Sequence, residues 1–183
     1  DTHIIYPLGS SIVVKNVEAD EQVILHGHND RVTCMAITSD GNTLASGQIT
    51  EMGYLADIIL WDISCIAAGS GDPELIYRLK LHKVSVQGLS FSHNNKYLAS
   101  IGGPDDNNLV IWNVETGSAI CGSPAAHDTC ACVKWFNNDD AKVVTGGIKQ
   151  LRIWELDPIA RKLKPQPVAT QKEVRTYSCI AIA

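Results

Sequence analysis

Four residues stand where a metal could be held: Cys121, His127, Cys130 and Cys132. Zinc takes four ligands around one point. Cys130 and Cys132 are two apart at the start of a strand. Side chains so spaced on a strand stand about 6.6 Å from one another, twice the rise per residue. That is too wide for two thiolates on one tetrahedral ion unless a bulge draws them together, and these cysteines read as small apolar core groups. The acid pair Asp105-Asp106 suggests acid–base work, but adjacent turn residues rarely face one reacting atom. Gly102-Gly103 and Gly146-Gly147 follow strands and open no helix, so they do not form a phosphate loop. No catalytic residue, metal or cofactor is expected.

What positions these residues is a repeat. Three units open at His28, His82 and His127 and close at Trp61, Trp112 and Trp154. From each histidine to a hydroxyl residue (Ser46, Ser100, Thr145) the separation is 18. From hydroxyl to tryptophan it falls from 15 to 12 to 9. A fixed separation implies packed geometry and a variable one an exposed connection. Val32, Val86 and Ala131 lie four after the histidines, Ile37, Phe91 and Phe136 nine after, and Leu44, Leu98 and Val143 sixteen after. Between the last two sets come Ser39-Asp40-Gly41, His93-Asn94-Asn95 and Asn138-Asp139-Asp140, residues suited to tight reversals. Each unit therefore reads strand, hairpin turn, strand, variable turn, strand. The third strand is the most apolar, as in Leu109-Val110-Ile111-Trp112. A fourth is expected at 74–81 and around 119–122, and weakly in the last unit, where Pro165 and Pro167 suit only an outer edge. No helix of useful length is expected.

The 183 residues allow one domain with a sizeable core. A net charge of −5 leaves no basic patch to neutralise phosphates, which argues against nucleic acid. No apolar run has the roughly 18–20 residues that span a bilayer, so no membrane partner is expected. Six cysteines in a chain this long form no dense framework, which points to a reduced intracellular compartment. The ends hold partial units: strands without an opening histidine over 4–26, and one strand over 174–183, with Glu173 where a histidine would stand and Cys179 in the place of Cys34. The units are 1–26 (partial), 27–81, 82–126, 127–172 and 173–183 (partial). A fan of this kind leaves β-edges open, so further blades are expected in a longer protein.

Four short strands per roughly 45 residues, closing on Trp61-Asp62 and on the variants Trp112-Asn113 and Trp154-Glu155, resemble the WD repeat. The resemblance implies an all-β fold, a WD-repeat β-propeller. About four blades are present here, three full and two partial, of a seven-bladed ring. It also implies a hydrogen-bonded tetrad inside each blade. A buried indole N–H needs an acceptor, which the hydroxyl supplies, and the hydroxyl then donates to an imidazole held by a turn aspartate. The middle unit has the full set, His82, Ser100, Asp106 and Trp112. The first has His28, Ser46 and Trp61, with Asp57 as its acid, four before the tryptophan where Asp106 lies six before. The third has His127, Thr145 and Trp154 and no acid.

Several stretches are more specific: IIYPLG at 4–9, GQITEMGYLADIILWD at 47–62, GGPDDNNLVIW at 102–112 and AICGSPAA at 119–126. Together they resemble the cilia- and flagella-associated WD-repeat proteins of doublet microtubules. That resemblance implies a structural microtubule inner protein that is not an enzyme. It would lie in the lumen of the doublet, in the axoneme of the cilium or flagellum and hence in the cytoplasmic cytoskeleton, bound to tubulin and other axonemal proteins. The alternative is a cytosolic adaptor that recruits peptide partners for ubiquitin ligation or signalling. A scaffold uses long inserted turns, and the one before Trp61 is the candidate: Ile49, Thr50, Glu51, Met52, Gly53, Tyr54 and Leu55. Shortening 49–55 is expected to spare the fold.

Overall fold

The computed structural model describes residues 2–69, 71–125, 128–168 and 175–182. Four antiparallel sheets follow one another along the chain, each a simple meander. The first holds β1 (His3–Leu8), β2 (Ser11–Asn16) and β3 (Gln22–His26). The second holds β4 (Val32–Ile37), β5 (Thr43–Gln48), β6 (Leu55–Asp62) and β7 (Glu74–Lys83). The third holds β8 (Val86–Phe91), β9 (Tyr97–Gly102), β10 (Asn108–Asn113) and β11 (Ser118–Pro124). The fourth holds β12 (Cys130–Phe136), β13 (Asp139–Gly147), β14 (Gln150–Asp157) and β15 (Lys162–Pro167).

Alternation along each third strand explains how the sheets stack. Side chains on a strand point to opposite faces in turn. Ile59 and Trp61 of β6 face the first sheet, while Ile58 and Leu60 face the third. In β10, Val110 and Trp112 face the second sheet, and Leu109 and Ile111 face the fourth. A strand buried on both faces must be apolar throughout, which is why these strands carry the longest apolar runs. The innermost strands β4, β8 and β12 adjoin one another across the sheet boundaries.

The hairpin turns lock into a row along one rim. Ser39 donates its backbone N–H (3.1 Å) and its hydroxyl (3.2 Å) to Asn95 Oδ1, and the Asn94 N–H donates to Asp140 Oδ1 at 2.8 Å. Gly41 (φ 75°) and Asn95 (φ 60°) take the left-handed conformation these reversals need. In the third unit the turn is one step shorter than its residue types suggest. Asp139 pairs with Phe136 and already belongs to β13.

Three other differences have physical causes. Between β6 and β7 lies a single-turn helix, α1 (Ser64–Ala68), opened by Ser64 donating to Asp62 Oδ1 and closed by Gly69 at φ 67°. Five residues carry no helical period to read. β15 forms in full despite its two prolines, which the outer edge tolerates because one side of that strand needs no donors. Residues 175–182 form no regular strand. They cross the inner end of the fourth sheet through a Thr176–Ile148 bridge, a Tyr177 N–H bond to Gly147 O (3.0 Å) and a Lys149 N–H bond to Arg175 O (2.9 Å). Ser85 bridges Ile49 in the same way between the second and third sheets. No helix among the described residues is long and apolar enough to cross a membrane.

Candidate functional site

The polar centre of the third sheet joins three elements. Ser100 sits on β9 and Trp112 on β10, while His82 comes from the end of β7 in the preceding sheet. The indole N–H of Trp112 donates to Ser100 Oγ at 2.8 Å, and Ser100 Oγ lies 2.7 Å from His82 Nε2. His82 Nδ1 lies 2.5 Å from Asp106 Oδ2. Asp106 can only accept, so Nδ1 carries the proton and Nε2 accepts from the serine hydroxyl. Every polar atom is used, at a place where His82 and Ser100 are fully buried. Burial pushes the Asp106 carboxyl up, but hydrogen bonds from His82 and Asn108 outweigh this and hold it below the usual range.

Gly102 shows why this geometry is available. A Cβ built there would stand 2.3 Å from Asp106 Oδ2 and 2.7 Å from His82 Nδ1. Only the absence of a side chain two residues after the hydroxyl leaves room for the aspartate.

In the second sheet that position is Gln48, and the chemistry changes. Trp61 Nε1 donates to Ser46 Oγ at 2.8 Å, and Ser46 Oγ lies 2.7 Å from His28 Nε2. His28 Nδ1, however, donates to Gln48 Oε1 at 2.7 Å, and Gln48 Nε2 donates to Asn29 Oδ1 at 2.6 Å. Asp57 is therefore not the partner of His28, which corrects the sequence reading. Gln48 fills the space from within the strand. Asp57, buried beside it, instead holds the Arg78 guanidinium and Lys80 Nζ, the latter at 3.1 Å. Arg78 Nη2 also donates to Gly27 O at 2.7 Å. The signal for Gln48 was in the sequence, as a long amide where the other two units have Gly102 and Gly147.

In the fourth sheet Trp154 Nε1 donates to Thr145 Oγ1 at 2.9 Å, and the Arg152 guanidinium lies 5.2 Å above the Trp154 ring. His127 lies outside the described residues, as does Glu173.

His28 differs from an ordinary histidine. Burial lowers its pKa from 6.5, and the nearby Arg78 charge adds to this; the Gln48 hydrogen bond and the Asp57 charge act the other way. A histidine with a depressed folded pKa contributes stability that is present above pH 6.5 and lost as pH falls through its folded value. Amide exchange in β5 and β6, corrected for intrinsic rates, is expected to accelerate below pH 6.5. A His28→Gln variant is expected to lose that step. A wild-type profile flat down to pH 5 would contradict it.

Among the described residues the cysteines are not gathered into a cation site. A bulge does interrupt the register between Cys130 and Cys132, yet each thiol turns to the Gly146 carbonyl oxygen, at 3.4 and 3.5 Å. Burial raises the Cys130 thiol to about 11 and also raises Cys132 and Cys121. Among the described residues no group of three or more His, Cys, Asp or Glu is gathered for a metal.

The inserted turn divides into a tied base and a free tip. The Ile49 N–H donates to Arg31 O (3.0 Å), the Thr50 N–H to Val84 O (2.6 Å), and the Val84 N–H to Tyr54 O (3.1 Å). Leu55 already pairs with Lys83 as the first residue of β6. Shortening the whole of 49–55 would therefore break sheet pairing, contrary to the sequence expectation; only 51–54 projects. Met52 is 83% exposed and Tyr54 65%. With Leu55, Lys83, Val84 and Asp105 they border a hollow of about 320 Å³. Val84 holds φ 63°, which is strained for a β-branched residue and fixes the base of the turn.

Residues 20–62 and 73–113 match the WD domain, G-beta repeat. Over 98% of its length the chain is 44% identical to "Cilia- and flagella-associated protein 52" of Chlamydomonas reinhardtii, and over 98% it is 40% identical to the protein of that name in Homo sapiens. It spans 28% of the length of each. Among solved structures it is similar to the "Crystal structure of RRP9 WD40 repeats", at 25% identity and a TM-score of 0.69, covering 90% of this chain and 47% of that one.

Proposed function

Because the chain belongs to the WD-repeat family, we propose that it is a structural scaffold of motile cilia and flagella. It acts as part of a microtubule inner protein that binds tubulin and neighbouring axonemal proteins within the doublet. The relatives named for cilia and flagella support the setting. The observation that carries the scaffold role is the inserted turn. It places two large apolar side chains, Met52 and Tyr54, in solvent on a strained, doubly tied base. Ordered apolar groups held out from a rigid sheet suit a permanent contact with another protein. The tetrads carry the other half of the role. In the second and third sheets they spend their polar groups on one another, which stiffens those sheets, and the reading involves no catalytic step.

The double variant Met52→Asp with Tyr54→Asp tests this. Both residues are exposed, so stability is expected to change by no more than about 0.5 kcal/mol. Incorporation into axonemes should fall about tenfold, the loss of one modest apolar anchor. Unchanged incorporation would remove the turn from the interface. Retained binding to soluble cytosolic complexes, with no axonemal pool in the wild type, would favour the adaptor reading.

A further inference from the structure

The outer strands of the sheets are not equally protected. β15 carries Pro165 and Pro167, and β11 ends at Pro124 with β15 nearby. β3 has only five residues. β7 has ten, the longest strand described, contains no proline, and pairs with β6 on one side alone. It also presents Leu75, Ile76 and Leu81, exposed by 42%, 41% and 48%. A long apolar edge with unpaired backbone donors and acceptors is a template for another strand, and proteins normally blunt such edges.

The charges on β7 indicate the occupant. The strand carries Arg78, Lys80 and Lys83 against the single acid Glu74. Asp57 neutralises only part of the Arg78 and Lys80 pair. A second copy of this chain fits less well, because it brings three cations and one acid to the same edge. A twofold axis through two antiparallel edge strands sets residues of the same face opposite one another. Centred on Leu79, it places Arg78 against Lys80; centred on Arg78, it places that residue against itself; centred on Tyr77, it pairs Lys80 with Glu74 but leaves Arg78 opposite Ile76 with no acid. Like charges directly opposite are destabilising.

We propose that the β7 edge binds an extended, acidic segment of a partner protein by strand addition, with acidic side chains opposite Arg78 and Lys80 and an aliphatic one opposite Ile76. This goes beyond the role of the inserted turn, which meets β7 only at its end, Lys83, and it does not depend on the turn's partner.

The probe is a short peptide carrying glutamate, glutamate and valine at successive alternate positions with threonine between them, so that one face matches Lys80, Arg78 and Ile76; it is added to the intact protein and binding is followed by fluorescence anisotropy. It should bind about tenfold more tightly than the same peptide with lysine in place of glutamate. Amide exchange in 74–83 should slow, an N-methylated version of the peptide should lose binding, and Ile76→Lys should weaken binding while leaving the far-UV spectrum unchanged. Equal binding of the two peptides, protection mapping elsewhere, or concentration-dependent self-association through β7 would each overturn the proposal. Met52→Asp should leave peptide binding intact, so a failure here is distinguishable from a failure of the inserted turn.

Discussion

Trp112→Ala should lower the stability of the protein by about 3–5 kcal/mol, the range for deleting a large buried aromatic side chain. Trp112 is 3% exposed and packs between the second and third sheets with Leu60, Leu79, Val86 and Phe91. Its removal opens a void at a sheet boundary, where two layers would have to move together to fill it. It also removes the donor that Ser100 accepts. Trp112→Phe separates the two contributions, because it keeps most of the ring and loses the N–H. Its cost should be about 1–3 kcal/mol, the range for leaving a buried polar group short of a partner. Denaturant titration of both variants measures the difference. A Phe variant as stable as the wild type would mean that the hydrogen-bonded centre adds nothing beyond packing.

The second large effect is expected at Asp57. Replacing Arg78 and Lys80 together by methionine leaves the buried Asp57 carboxylate without its two cations, which should cost about 3–5 kcal/mol. Asp57→Asn should cost clearly less. Its orphaned partners have side chains 34% and 52% exposed, so they can turn to water. The order of the two costs discriminates between roles. Were Asp57 the acid of the His28 tetrad, Asp57→Asn would be the more damaging change, and Arg78 and Lys80 would be dispensable surface residues. Thermal or denaturant unfolding of the three-substitution set settles the order.

These two cases show what could be read from the sequence. The fixed step of 18 residues from histidine to hydroxyl and the closing tryptophan marked the repeat, and its resemblance to the WD repeat implied Trp112 on Ser100 and Ser100 on His82. The strand meander followed from the same spacing. Asp57 was misplaced because spacing along the chain does not say which side chain reaches across the sheet first. Gln48 stands on β5 two residues from Ser46 and reaches His28 from there, while Asp57 stands on β6 opposite Lys80. The clue was local, an amide in place of a glycine, and its meaning depended on the Cβ contacts that Gly102 avoids. The inserted turn was visible as extra length, but not its division into a tied base and a free tip. That division rests on hydrogen bonds to Arg31 and Val84, residues outside the turn. α1 and the path of 175–182 were illegible for a simpler reason, since neither is long enough to show a period.

The scaffold reading joins these observations: polar centres that rigidify the sheets, and an ordered apolar tip carried on one of them. Its most direct test is where the protein resides and how firmly it is held. Axonemes from cells expressing a tagged protein at its native level can be demembranated, extracted with high salt and labelled. The account predicts periodic labelling along the doublets that survives extraction, because surface charge contacts are screened by salt and buried apolar contacts are not. A diffuse cytosolic signal, or axonemal label released completely by salt, would contradict it.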